Sequence, residues 1–493
     1  MKAFIVSITL LLLVGCGGSS SSPTPTDVPN PPVPPDNTTS TYTVPTGELV
    51  KWAVPVDAAG FEGSATYCDL DNDGTLEGIV PVAVVDGPEL SFLMVVEGDT
   101  GAVRWQSAPG DASYAYPLCV DVNDDGVLDI LTGGRTKDLI ALSGVDGQPI
   151  WQFNTVNPDA ALLGNTYSAA AETISPSTIF FTSGGGGGIE RLVGKLFAID
   201  LSGAIIASWI EPQNREIYTT PALYRSPTGI LYLAVGSGGE TLPGSIFILS
   251  YDENDKAFSV VSEIPSSCQI AGWIASPVFA DVTGDGIPEV INSDYCGATL
   301  AMSLAGEVIW QANSDQLYAT SNPAMADLNG DGILDVINAF ASLNWSIPDS
   351  YDLAVSQVIA INGLNGEVMW KHDFNTLISS SLVTADYNGD QIADIFSINI
   401  DGLFGSLNES SLVVLDGTDG SIALTNNMSF SSGTPALGDL NGNGVLDMLY
   451  AETSALTATN GGIVLLEFPG VIPPQTNTSN SFRGMPLHNG YIP

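Results

Sequence analysis

Short apolar runs alternate with turns rich in Gly, Asn and Asp from residue 46 to residue 470. Runs bounded in this way read as strands. Two kinds of segment recur. The first is a run such as SPVFA or NPAMA, an acidic turn, then a run such as DVINAF, DIFSINI or DMLYAE. The second is an apolar run, a glycine-containing turn and a run ending in tryptophan, as in Phe92 to Trp105, Leu139 to Trp151, Thr299 to Trp310 and Gln357 to Trp370. Joined end to end they make a unit of four strands. Strand A leads into the acidic turn, B leaves it, C is the apolar run and D ends near Trp. Four antiparallel strands in a repeat of ~40–50 residues mark a β-propeller.

Six units carry the acidic turn, and two lack it but keep the rest. Those two begin at Tyr167 and Thr219. The second closely matches residues 433–452, with Arg225 where Asp439 stands. The count is therefore eight. The last unit has no strand D after GGIVLLEFPG, whereas TGELVKWAVPV, from Thr46 to Val56, looks like a spare one. The expected fold is all-β: an eight-bladed β-propeller of four-stranded blades over residues 46–470, closed by an N-terminal strand. Residues 471–493 are read as a C-terminal tail.

The acidic turns share one nine-residue pattern, with oxygen side chains at positions 1, 3 and 5 and a carboxylate at 9. The sets are Asp69, Asp71, Asp73 and Glu77; Asp121, Asn123, Asp125 and Asp129; and Asp281, Thr283, Asp285 and Glu289. They continue as Asp327, Asn329, Asp331 and Asp335; Asp386, Asn388, Asp390 and Asp394; and Asp439, Asn441, Asn443 and Asp447. Such oxygens can wrap a hard cation, and Ca2+ accepts six to eight of them in flexible geometry. The alternative is a plain Asx hairpin. Repetition in register favours calcium. An EF-hand is excluded, because its longer loop lies between helices and these turns lie between strands. Affinity should follow ligand charge, which ranks the Asp69 turn high and the turns with Thr283, Gln391 or Asn443 lower.

These acidic turns resemble the FG-GAP or VCBS-type repeats of integrin α-subunit propellers and bacterial surface proteins. The C–D segments resemble the PQQ-type repeat of quinoprotein dehydrogenases and of the propeller lipoprotein that serves outer-membrane protein assembly. The resemblance implies a propeller with several Ca2+ sites and says little about activity. Quinoprotein dehydrogenases usually carry an adjacent Cys-Cys pair. None occurs here, so no PQQ is expected.

The N-terminus predicts an address. Lys2 precedes an apolar run from Ala3 to Val14, too short to span a membrane and suited to a signal peptide over residues 1–15. Leu13-Val14-Gly15-Cys16 resembles a bacterial lipobox, which implies acylation of Cys16 and a lipid anchor. Gly17 after that Cys implies, by the same resemblance, an outer-membrane lipoprotein of the cell envelope. Residues 16–45 are rich in Pro, Ser and Thr and read as a disordered tether. The net charge of −43, with 12 basic residues against 55 acidic ones, repels phosphates, so no nucleic acid partner is expected. Four further cysteines can pair in an oxidising envelope. Neighbourhood favours Cys68 with Cys119 and Cys268 with Cys296, and buried thiols are the alternative.

Catalytic patterns are thin, and no catalytic residue is assigned. There are two histidines, His372 and His488, and no GxSxG elbow. Gly184 to Gly188 lie between strands, which argues against a phosphate loop. Aromatics stand near the start of strand A on the side away from the acidic turns: Phe61, Tyr114, Tyr167, Tyr218, Trp273 and Tyr318, with Trp345 in a long loop on that side. They predict a rim for a protein or carbohydrate ligand, or else packing between blades. The expected function is a binding or scaffolding module without catalysis. The alternatives are a sugar-acting enzyme such as a polysaccharide lyase, and an outer-membrane protein assembly factor.

Overall fold

The computed structural model describes residues 45–473 and 491–492, apart from 57–62, 83–90, 109, 111–114, 135–137, 161–165, 167, 173–175, 185–191, 241, 316, 320, 343–354, 402–408 and 455–459. Apolar runs cut by left-handed turns fold as meanders, each strand pairing with the next. Eight sheets result, with strands A to D side by side in chain order in blades 1 to 7. Blades 1 to 8 occupy residues 66–106, 118–152, 169–210, 222–265, 278–313, 318–374, 377–429 and 436–468. In blade 5, strand A (Val278–Ala280) is wholly buried, whereas strand D (Val308–Asn313) alternates exposed and buried. Strands A of blades 4 and 5, of 6 and 7, and of 7 and 8 touch one another. Strand A therefore lines the centre of an eight-bladed β-propeller and strand D its outer wall.

The N-terminal strand completes blade 8 as its strand D. Val50–Val56 pairs antiparallel with Gly461–Phe468, with Trp52 opposite Leu465. It starts at Val50, after a turn at residues 47–49. The chain also returns at its other end. Tyr491–Ile492 pairs in parallel with strand A of blade 5, Tyr491 opposite Phe279, and touches strand A of blade 4. Part of the sequence-predicted tail is thus a fifth, innermost strand of blade 5.

The core is not one mass but eight sectors, one at each junction between blades. Blades 8 and 1 enclose Val80, Val96, Leu449 and Leu465. Blades 2 and 3 enclose Phe153, Phe181 and Phe197, the last two stacked with centroids 5.1 Å apart. Each blade buries both faces, which is why strands B and C read as continuous apolar runs.

The tryptophans explain themselves here. Five strand-D tryptophans donate the indole N–H to a carbonyl of the next blade, beginning with Trp52 to Gly98, Trp105 to Gly144 and Trp151 to Leu201, at 2.8–2.9 Å. Trp310 and Trp370 do the same to Gly363 and Gly417, at 2.6 and 2.7 Å. The ring lies on a turn glycine of that blade. Gly147 has φ +71°, and a Cβ there would stand 2.4 Å from Trp105 Cε3. In blade 4 the same position is Ser262, whose hydroxyl donates to Leu304 O at 3.1 Å. Every strand D carries a β-bulge at this level, and in the six blades with a clasp it lies one residue before the clasping side chain. A bulge turns its extra side chain away from the regular alternation.

Candidate metal centre

The six acidic turns connect strands A and B, and all six adopt one conformation. Positions 4 and 6 are left-handed, with φ between +60° and +88°: Asn72 and Gly74 in blade 1, Gly284 and Gly286 in blade 5, Gly389 and Gln391 in blade 7. This is what places glycine in the pattern. Gln391 takes φ +73° against the preference of an L side chain.

The conformation aims the side chains inward. The position-1 carboxylate accepts the N–H of position 6 in every turn, for example Asp121 Oδ2 from Gly126 at 3.1 Å and Asp327 Oδ2 from Gly332 at 2.9 Å. The position-5 oxygen accepts the N–H of position 7, as Asp331 does from Ile333 at 2.8 Å. The position-9 carboxylate accepts the N–H of position 2, as Glu77 does from Leu70 at 2.6 Å and Asp335 from Leu328 at 3.0 Å.

Position 9 departs from ordinary surface acids in its burial: Glu77, Asp129, Asp335, Asp394 and Asp447 are 0% exposed and Glu289 is 4%. Desolvation pushes Glu77, Glu289 and Asp447 up to about 7, against the backbone N–H groups that stabilise the charge. The same cause lifts Asp129, Asp335 and Asp394 to about 6. A buried carboxylate is costly without a counter-charge. In blade 1, ligand atoms of Asp69, Asp71 and Glu77 lie within 4.8 Å of one another. In blade 5, Thr283 Oγ1 at position 3 is buried without a hydrogen-bond partner. The donor types at positions 1, 3, 5 and 9 suit a hard divalent cation, with position 9 buried and position 5 exposed in every turn.

Three cationic side chains on these junctions were not anticipated. Arg104, the bulged residue of blade 1, places Nη2 2.8 Å from Asp71 Oδ2 and Nη1 3.2 Å from Glu77 Oε1. Lys51, the bulged residue of the closing strand, places Nζ 2.8 Å from Glu467 Oε2. Glu467 also accepts the amide groups of Asn441 and Asn443 at 3.2 and 2.7 Å. Blades 3 and 4 lack acidic turns, and there Arg225 joins them, with Nε 2.8 Å from Glu172 Oε1 and Nη2 2.7 Å from Glu253 Oε1. The signal that could have found Arg104 and Lys51 is their shared place, one residue before a clasping Trp.

The cysteines are paired as Cys68–Cys119, with Cα atoms 6.5 Å apart, and Cys268–Cys296, 5.5 Å apart. The first pair ties strands A of blades 1 and 2.

The aromatic rim needs correcting. Trp273 is 0% exposed and packs in the sector between blades 4 and 5 with Ile246, Phe279 and Leu300. It is core and cannot meet a ligand. Its flanking sequence, Ala271-Gly272 and Ile274-Ala275, has no alternation that would show the ring turning inward. Tyr318 is half-buried with its ring 5.2 Å from that of Tyr295, beside the Cys268–Cys296 pair. Tyr218 is half-buried and donates its hydroxyl to Glu216 at 3.0 Å. Phe61, Tyr114, Tyr167 and Trp345 lie outside the described residues, as do the leader, Cys16, nearly all of the tether and His488. His372 is half-buried, with Nδ1 2.8 Å from Gly420 O and its ring beside Phe374.

No family model matches the chain, and no curated protein matches it either. Solved structures do. Quinohemoprotein alcohol dehydrogenase from Comamonas testosteroni is 13% identical with a TM-score of 0.55, over 87% of this chain and 78% of that one. The V. cholerae biofilm matrix protein Bap1 is 13% identical with a TM-score of 0.57, over 90% and 96%. A europium-containing methanol dehydrogenase is 12% identical with a TM-score of 0.57, over 85% and 93%. What is shared is the propeller. Enzymes and a matrix protein both use it, so the fold does not choose between them. Among the described residues, no helix is long and apolar enough to cross a membrane.

Proposed function

We propose that this protein is a calcium-stabilised binding or scaffolding module of the bacterial cell envelope, carried on a lipid anchor at Cys16. The observation that supports the calcium part is the repeated buried carboxylate at position 9, set among inward-facing oxygens in six turns of one shape. Calcium there would neutralise the buried charge and hold strands A and B of each blade together. It would also relieve part of the self-repulsion of a chain at −43. The ligand is a protein or a carbohydrate, met on the side away from the acidic turns, the side to which the sequence alone assigns Tyr114, Tyr167, Tyr218 and Trp345. Lys51, Arg104, Arg225 and Lys371 are engaged in ion pairs. Lys195, Arg215 and Lys256 are in no such pair among the described residues, so the lyase alternative is left to experiment. An assembly role in the outer membrane is the other alternative.

Each site filled at 100 times its Kd adds about 2.7 kcal/mol to folding. Excess EGTA should therefore lower the Tm of the mature chain by many degrees, and Asp125→Ala should cost more of the calcium response than Asn443→Ala. An identical melt with and without EGTA removes the calcium reading. Incubation with acidic polysaccharides, followed by ultraviolet absorbance, tests the enzyme alternative. Growth of unsaturated sugar ends would replace the binding reading with a lyase.

A further inference from the structure

Resting on the calcium reading above, the geometry points to Arg104 as a built-in cation of the first acidic turn. We propose that it partly stands in for the metal there. The turn of blade 1 then stays formed without calcium and binds calcium more weakly than the turns of blades 2, 5, 6 and 7. The carboxylate count ranks the turns the other way, since this turn has four acids at its ligand positions.

The argument starts from the bulge. In blades 2, 5, 6 and 7 the extra residue of strand D is Ile150, Ile309, Met369 and Ala423, none of which carries charge. In blade 1 it is Arg104, and the bulge delivers its guanidinium to Asp71 and Glu77. Both acids belong to the trio whose oxygens converge within 4.8 Å. The Arg104–Glu77 contact is one of charge, since Nη1 and Oε1 are close without hydrogen-bond alignment. Nη1 also stands 3.8 Å from Glu97 Oε1. A divalent ion entering this turn meets a fixed positive charge on two of its own ligands. Such a charge a few ångströms away weakens binding by about tenfold or more.

Across the seam the equivalent bulge also carries a cation, but it meets a different partner. Lys51 pairs with Glu467, which stands opposite Asp447 as Glu97 stands opposite Glu77, and not with a ligand of the blade 8 turn.

The test compares wild type, Arg104→Gln and Arg104→Lys as mature full chains. Tm is measured in EGTA and in saturating calcium, and calcium binding by titration calorimetry. Arg104→Gln should melt below wild type in EGTA, and the gap should close in calcium. One binding site should tighten about tenfold. Arg104→Lys should restore most of the EGTA stability. Equal destabilisation in both buffers, or no change in EGTA, would overturn the proposal while leaving calcium binding elsewhere intact. If calcium changes neither wild type nor variant, the metal reading fails and this proposal falls with it.

Discussion

Trp52 of the closing strand donates its indole N–H to Gly98 of blade 1 at 2.9 Å, while its own strand is hydrogen-bonded into blade 8. One residue therefore joins the last blade to the first. Trp52→Ala should cost about 3 kcal/mol, the low end for a large aromatic because this ring is partly exposed. Deletion of residues 46–56 should open the outer edge of blade 8 and cause aggregation, since an unpaired strand edge recruits partners. Thermal melting and size-exclusion chromatography read both. A cooperative, monomeric deletion variant would show that the seam is held by other contacts.

Gly147 and Gly126 share a left-handed backbone but not their surroundings. A Cβ at Gly147 meets the Trp105 ring at 2.4 Å, and one at Gly126 meets nothing within 4 Å. Both Ala variants carry the left-handed strain of about 1–2 kcal/mol. Gly147→Ala should add overpacking of about 1–3 kcal/mol and loosen the clasp between blades 1 and 2. Chemical denaturation of the two variants side by side gives the difference. Equal losses would mean that the Trp ring moves aside freely.

Gln391 holds the left-handed position that glycine holds in the other five acidic turns. Gln391→Gly should raise stability by about 1 kcal/mol, because the turn is already built and only the side-chain strain is removed. The gain should persist in EGTA. A loss on substitution would show that the Gln side chain does something in this turn that its backbone angle does not reveal.

Trp273→Ala should behave as a core truncation and destabilise by about 3–5 kcal/mol. Tyr218→Ala should be milder, because that ring is half-buried. Melting curves separate them. If Trp273→Ala melts like wild type, the assignment of this ring to the sector between blades 4 and 5 is wrong.

The blades were legible in the sequence because each strand position recurs with the same chemistry. The acidic turns were legible as turns and Gln391 as a departure at position 6, whereas the left-handed backbone at position 4 was not foreseen. The closing strand was legible from a single Trp in a familiar run. What the sequence did not disclose depends on approach between distant residues. Trp105 reaches Gly144 across a junction, and a glycine in a turn gives no sign of the ring above it. Arg104 meets Asp71 from 33 residues away, and Lys51 meets Glu467 from 416 away, both by way of a bulge that no periodicity betrays. Trp273 was misplaced for a related reason. An aromatic just ahead of strand A can turn to the rim or into the wedge between blades, and only packing decides.

The division of the core into eight sectors gives the molecule an unusual kind of tolerance. Each junction is a self-contained joint, and a change inside one is felt by two blades and no others. That is how one ring accommodates an indole at five joints, the Ser262 hydroxyl at another, and an arginine where two neighbours lack acidic turns. Neighbouring joints need not share a chemistry, because each is packed by the facing sides of two blades alone. The seam between blades 8 and 1 is where such freedom stops, because there a joint is also a lock made from both ends of the ring.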